Sequence, residues 1–76
     1  MEVQWDERNL GRLVGGDIGP SEVEEVLRSP ATARRRLSGG RRAYRGRTEA
    51  GRPLAIVVDV LGRQRIRPRM ALEVTG

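Results

Sequence analysis

A chain of 76 residues with 15 basic and 10 acidic side chains carries a net charge of +5, and every basic residue is an arginine. The absence of histidine and cysteine excludes a Cys/His zinc centre, a disulfide, a thiol nucleophile and an imidazole acid–base pair. The charge is unevenly divided: residues 1–27 hold two arginines against seven acids, net −5, while residues 28–76 hold thirteen against three, net +10. An anionic partner would meet the second half.

The length suits one domain, residues 1–76, with a small core. No run approaches the roughly 20 apolar residues that a membrane helix needs. Met1-Glu2 opens no signal-peptide pattern, so a cytoplasmic location without membrane association is expected. Val3 and Trp5 fall on one face of a short N-terminal strand. Asp6 stands at an N-cap position, and Leu10, Leu13 and Val14 recur at i, i+3, i+4. That pattern predicts a helix over about residues 7–14, ended by Gly15-Gly16. Ser21 and Glu24 have capping-box spacing at the head of a second helix. Its apolar stripe is Val23, Val26 and Leu27, and Ser29-Pro30 stops it. Helices this short hold only when docked on an apolar surface.

The second half supplies that surface. Leu54, Ile56, Val58 and Val60 lie two apart, as do Ile66, Pro68 and Met70, so both segments read as strands with one buried face. About residues 41–48 form an earlier strand, and Thr32–Leu37 is a further candidate. The expected fold class is α+β: two short N-terminal helices packed on one face of a three- to four-stranded antiparallel sheet.

Turn chemistry sets the expected register. Glu49-Ala50-Gly51 fits a three-residue hairpin loop with glycine third, which places Gly46 opposite Leu54 and Tyr44 opposite Ile56. A three-residue loop Leu61-Gly62-Arg63 pairs Val60 with Gln64 and Val58 with Ile66. A two-residue loop would turn Arg65 into the core, at a far larger cost. The face away from the helices then carries the rows Arg41–Asp59–Arg65, Ala43–Val57–Arg67 and Arg45–Ala55–Arg69, with Arg47 at the rim.

A guanidinium is planar, permanently charged and able to fork onto two phosphate oxygens, so this face suits an RNA backbone. Held rigidly, it could also stabilise the extra charge of a phosphorane-like transition state. Acid–base candidates are poor: Tyr44, which falls on the helix side, Asp59, which lies between Arg41 and Arg65, and Glu49 and Glu73. Period-two arginines are equally what a solvated sheet face shows, and an acidic protein is a third fit. Arg34-Arg35-Arg36 reads as a solvated run, and Trp5 and Tyr44 as core anchors.

Several segments carry a resemblance: Trp5-Asp6 opening a helix, Pro20 to Leu27, Gly46 to Arg52 before an apolar strand, and Arg65-Ile66-Arg67-Pro68. In this order the chain resembles the BrnT group of bacterial toxins, itself similar in fold to RelE-type toxins. The resemblance implies a RelE-like fold and mRNA endoribonuclease activity with neither metal nor other cofactor. It also implies a cognate antitoxin protein as partner, the two forming an assembly. On that reading Arg47 and Arg67 are the catalytic candidates, and Arg41, Arg45, Arg65 and Arg69 hold RNA phosphates. The alternative is a non-catalytic module of the same fold that binds nucleic acid or an acidic partner.

Overall fold

The computed structural model describes residues 1–7, 9 and 18–74. Five strands, Glu2–Val3 (β1), Ala33–Leu37 (β2), Arg41–Arg47 (β3), Pro53–Val60 (β4) and Arg65–Glu73 (β5), form one sheet. Their spatial order is β1-β5-β4-β3-β2, and a helix over Pro20–Arg28 (α1) packs against the sheet. The strands pair antiparallel except β1, which runs parallel to β5 through Glu2–Arg65 and Val3–Ile66.

This corrects the expected fold class. The sheet is mixed and five-stranded rather than antiparallel with three or four strands, and the described residues contain one complete helix rather than two. The mixed character comes from the two-residue β1, too short to show a period, which satisfies the outer backbone groups of β5. The Gln4 amide, for example, donates to the Ile66 carbonyl at 2.8 Å. The helix expected over about residues 7–14 lies, beyond its first residues, outside the described part of the chain. At its start the Asn9 amide donates to Asp6 Oδ1 at 3.0 Å, and the Asp6 amide donates to Asn9 Oδ1 at 2.7 Å.

The start of α1 lies two residues before the expected cap. Gly19 is the N-cap, Pro20 occupies the first helical position, and the Gly19 amide donates to the Glu22 carboxylate at 3.2 Å. Ser21 is therefore inside the helix. Val23, Val26 and Leu27 are buried against Tyr44, Leu54 and Ile56 of the sheet, and Ile18, Val58, Ile66 and Ala71 complete the core. Trp5 Nε1 donates to Glu24 at 2.8 Å and ties the N-terminal segment to α1. No helix among the described residues is long and apolar enough to cross a membrane.

The β3–β4 hairpin has the expected register, with Gly46 opposite Leu54 and Tyr44 opposite Ile56. Gly51 takes φ +89°, and the Thr48 amide donates to the Arg52 carbonyl at 2.9 Å. The β4–β5 register is different. Val60 pairs with Ile66 and Val58 with Pro68, so Leu61 and Arg65 close a loop of Gly62-Arg63-Gln64 instead of Leu61-Gly62-Arg63. A shift of two keeps Ile66 and Pro68 on the buried face, so the hydrophobic pattern could not exclude it. Beyond Pro68 the ladder slips once more. Val57 pairs with Met70, leaving Arg69 as the extra residue of a β-bulge. The bulge sends Ala71 inward and leaves Met70, expected in the core, 48% exposed.

Candidate nucleic-acid interface

One face of the sheet is covered by α1; no described element packs on the other. Register and period two fill the open face row by row. The first row is Leu37–Arg41–Asp59–Arg67, the second Arg35–Ala43–Val57–Met70 and the third Ala33–Arg45–Ala55–Leu72, with Arg47 and Pro53 at the end. The expected rows are corrected on the β5 side: Arg67 replaces Arg65 beside Asp59, and Met70 and Leu72 stand where Arg67 and Arg69 were expected.

Asp59 is the centre of this face. Its carboxylate receives Arg41 Nε at 3.5 Å, Arg67 at 3.5 Å and Arg69 at 3.4 Å. Arg69 reaches it because the bulge places an additional side chain on the open side. Pro68 gives the strand a reason to slip there, since it has no amide hydrogen for a regular ladder. One carboxylate among three guanidiniums leaves two net positive charges, and a guanidinium bonded to one oxygen keeps further N–H donors for an anion. The carboxylate side chain is 17% exposed and the arginines 37–44%, so solvent reaches the donors.

The other expected site residues disperse. Arg45 is exposed on the open face with no hydrogen bond or ion pair among the described residues. Arg65 lies on the β1 side of β5, where it pairs with Glu2 at 3.4 Å. Arg47 donates to the Gly51 carbonyl at 3.0 Å, within its own hairpin. Arg47 is aligned with Pro53 and Arg67 with Asp59, six residues apart along β4 or about 20 Å of strand. The two catalytic candidates therefore do not converge on one phosphorus atom. Tyr44 is buried on the helix side, where its hydroxyl accepts from Arg42 at 3.1 Å. Glu73 pairs with Arg52, which also engages Glu22. Among the described residues no cluster of acids has the makings of a metal site.

Sequence reasoning read Arg34-Arg35-Arg36 as a solvated run and gave Arg42 no role. The signal was present: Ser38-Gly39-Gly40 between two arginine runs is a hairpin loop, and Gly39 and Gly40 take φ +74° and +72°. From Pro30 to Thr48 the chain holds seven arginines and no acid, so the β2–β3 ribbon is the most basic part of the molecule. On β5, across β4 from this ribbon, the open face also exposes apolar side chains, with Met70 48% and Leu72 46% exposed. The whole is a small mixed sheet with one helix-covered face and one arginine-rich open face. Comparison with protein-family models, curated proteins and solved structures returns no match.

Proposed function

We propose that the protein binds RNA through the open sheet face, with Arg41, Arg67 and Arg69 as the central phosphate contact and Arg45 and Arg35 extending the track. The carrying observation is the convergence of three guanidiniums on the single carboxylate of Asp59. A solvated arginine face has no need to gather its charges in this way, and the gathering places forked donors on rigid strands rather than on a loop. The test is fluorescence anisotropy with short RNA oligomers across a salt series. Affinity should fall steeply as salt rises, and the triple variant Arg41→Gln/Arg67→Gln/Arg69→Gln should bind markedly less well. Binding that ignores both salt and the triple substitution would remove this reading.

A second reading adds cleavage. On this reading, which rests on the resemblance to BrnT-type toxins, the chain would act as a metal-independent mRNA endoribonuclease of the cytoplasm, restrained by an antitoxin. Fixed cations held by Asp59 favour it, because preorganised charge is what a phosphorane-like transition state needs. Arg67 stays in that role; Arg47, about 20 Å of strand away, serves as a backbone contact instead. The exposed Met70 and Leu72 beside these arginines suit an antitoxin segment combining apolar and acidic side chains. Cleavage products on a denaturing gel, lost in Arg67→Gln, support this second reading. Intact RNA under conditions of full binding supports the first alone.

A further inference from the structure

On the face opposite the proposed RNA track, β2 and β3 bring like charges together. Arg36 lies directly across from Arg42 in the antiparallel ladder, and Arg34, two residues along, lies across from Tyr44. Like charges directly opposite one another destabilise a sheet unless something between them carries the opposite sign. The described residues provide nothing of that kind: among them Arg34 and Arg36 have neither hydrogen bond nor ion pair. Among the described residues Arg42 donates to the Tyr44 hydroxyl alone, at 3.1 Å. Tyr44 is 4% exposed and fixed in the core, so this contact anchors the Arg42 guanidinium while leaving its other donors unused. The space between these groups is a cleft of about 300 Å³ lined by Arg34, Arg35, Arg36 and Arg42. A second cleft of similar size shares Arg34 and runs past Tyr44 to Leu27 and Pro30 at the end of α1.

We propose that Arg34, Arg36 and Arg42, with Arg42 braced by Tyr44, form a binding site for a phosphate group on the helix side of the β2–β3 ribbon. Three guanidiniums with unused N–H donors match a tetrahedral oxyanion, and an anion seated there relieves the Arg36–Arg42 repulsion. The adjoining cleft past Tyr44 leaves room for whatever the phosphate is attached to. The site is separate from Asp59 and its arginines, which lie on the other side of the sheet, and it does not depend on RNA binding there.

The test is a titration of the intact protein with inorganic phosphate against chloride at matched ionic strength, followed through the arginine Nε–Hε signals by NMR. The Arg34, Arg36 and Arg42 signals should shift together and saturate, while Arg63, exposed in the β4–β5 loop, should not. Arg36→Gln removes one donor from an exposed position without touching Tyr44, and it should weaken phosphate binding about tenfold. Arg63→Gln should leave the affinity unchanged. Non-saturating shifts of equal size at Arg36, Arg45 and Arg63 would overturn the proposal, as would unaltered affinity in Arg36→Gln. Two further arms identify the source of the phosphate. Competition by a 5′-phosphorylated RNA oligomer, and not by its 5′-hydroxyl counterpart, assigns a terminal phosphate. Equal competition by both assigns a backbone phosphodiester. Either result supports the site.

Discussion

Thr32 lies directly over Gly46, with its Oγ1 in the space that a Cβ on Gly46 would occupy. The same hydroxyl donates to the Val26 carbonyl at 2.6 Å, so it satisfies an acceptor in the last turn of α1 and cannot move aside without cost. The end of the helix and the end of β3 are locked at this one contact. Gly46→Ala should lower unfolding free energy by about 1–3 kcal/mol, the usual range for overpacking a close contact. Thr32→Ala alone should cost about 1 kcal/mol through the lost hydrogen bond. In the double variant the two costs should fall short of their sum, because the second change removes the obstacle to the first. Urea unfolding of the four proteins measures the coupling; strict additivity would mean that Gly46 accepts a methyl group by moving the strand instead.

Asp59 makes opposing predictions for stability and binding. Its ion partners are more than a third exposed, so Asp59→Asn should reduce stability by no more than about 1 kcal/mol despite removing three ion pairs. The same change removes the one carboxylate that, among the described residues, competes with phosphate for those guanidiniums. RNA affinity at low salt should therefore rise, and its salt dependence should steepen. If cleavage is observed, its rate should fall in the same variant, since the arginines lose the group that aligns them. A drop in affinity instead would show that Asp59 positions the arginines for binding as well.

The β3–β4 hairpin was legible because two independent constraints agreed. Glu49-Ala50-Gly51 admits one loop with glycine in the left-handed position, and the alternation from Leu54 to Val60 accepts the resulting register. Between β4 and β5 the constraints were weaker. Registers two residues apart bury the same face, and only the loop Gly62-Arg63-Gln64 distinguishes them. The bulge was beyond a period-two reading, because it changes parity inside a strand. It moved Met70 out of the core and gave Asp59 its third arginine. The strand β2 is held by pairing rather than propensity: four of its five residues are exposed, so Arg34-Arg35-Arg36 looked like solvated surface until β3 was placed beside it. For α1, Gly19-Pro20 decided the start over Ser21, since proline suits the first helical turn and glycine tolerates the cap.

The bulge also predicts an asymmetry between two deletions in β5. Removing Arg69 takes away the residue in excess, so Val58–Pro68 and Val57–Met70 become consecutive pairs and every buried side chain keeps its face. This variant should fold cooperatively and lie within about 1 kcal/mol of the parent protein, allowing for one lost surface ion pair. Removing Arg67 puts Ile66 next to Pro68 and forces one of these two buried side chains outward. Exposing either costs on the order of 1.5–3 kcal/mol, before the cavity left behind is counted. Thermal unfolding by circular dichroism separates the two outcomes. Equal damage from both deletions would mean that Arg69 is not the inserted residue.

The separation of Arg47 from Arg67 yields the most direct test of how RNA lies on the protein. Their rows are six positions apart along β4, about 20 Å, so no single phosphate touches both. If both contact one extended strand, each substitution removes a different phosphate contact. Arg47→Gln and Arg67→Gln should each lower the magnitude of the salt slope by about one contact, and their effects on binding free energy should add to within roughly 0.3–0.5 kcal/mol in the double variant. The size of the effects should differ, however. Arg67 acts within a cluster whose carboxylate limits its gain, whereas Arg47 donates to the Gly51 carbonyl and, among the described residues, makes no ion pair, with Glu25 and Glu49 lining the same cleft. Oligomers too short to span the separation should feel one substitution or the other, not both. Sensitivity of the shortest binding oligomer to both substitutions would place the RNA along a path other than the open face of β4.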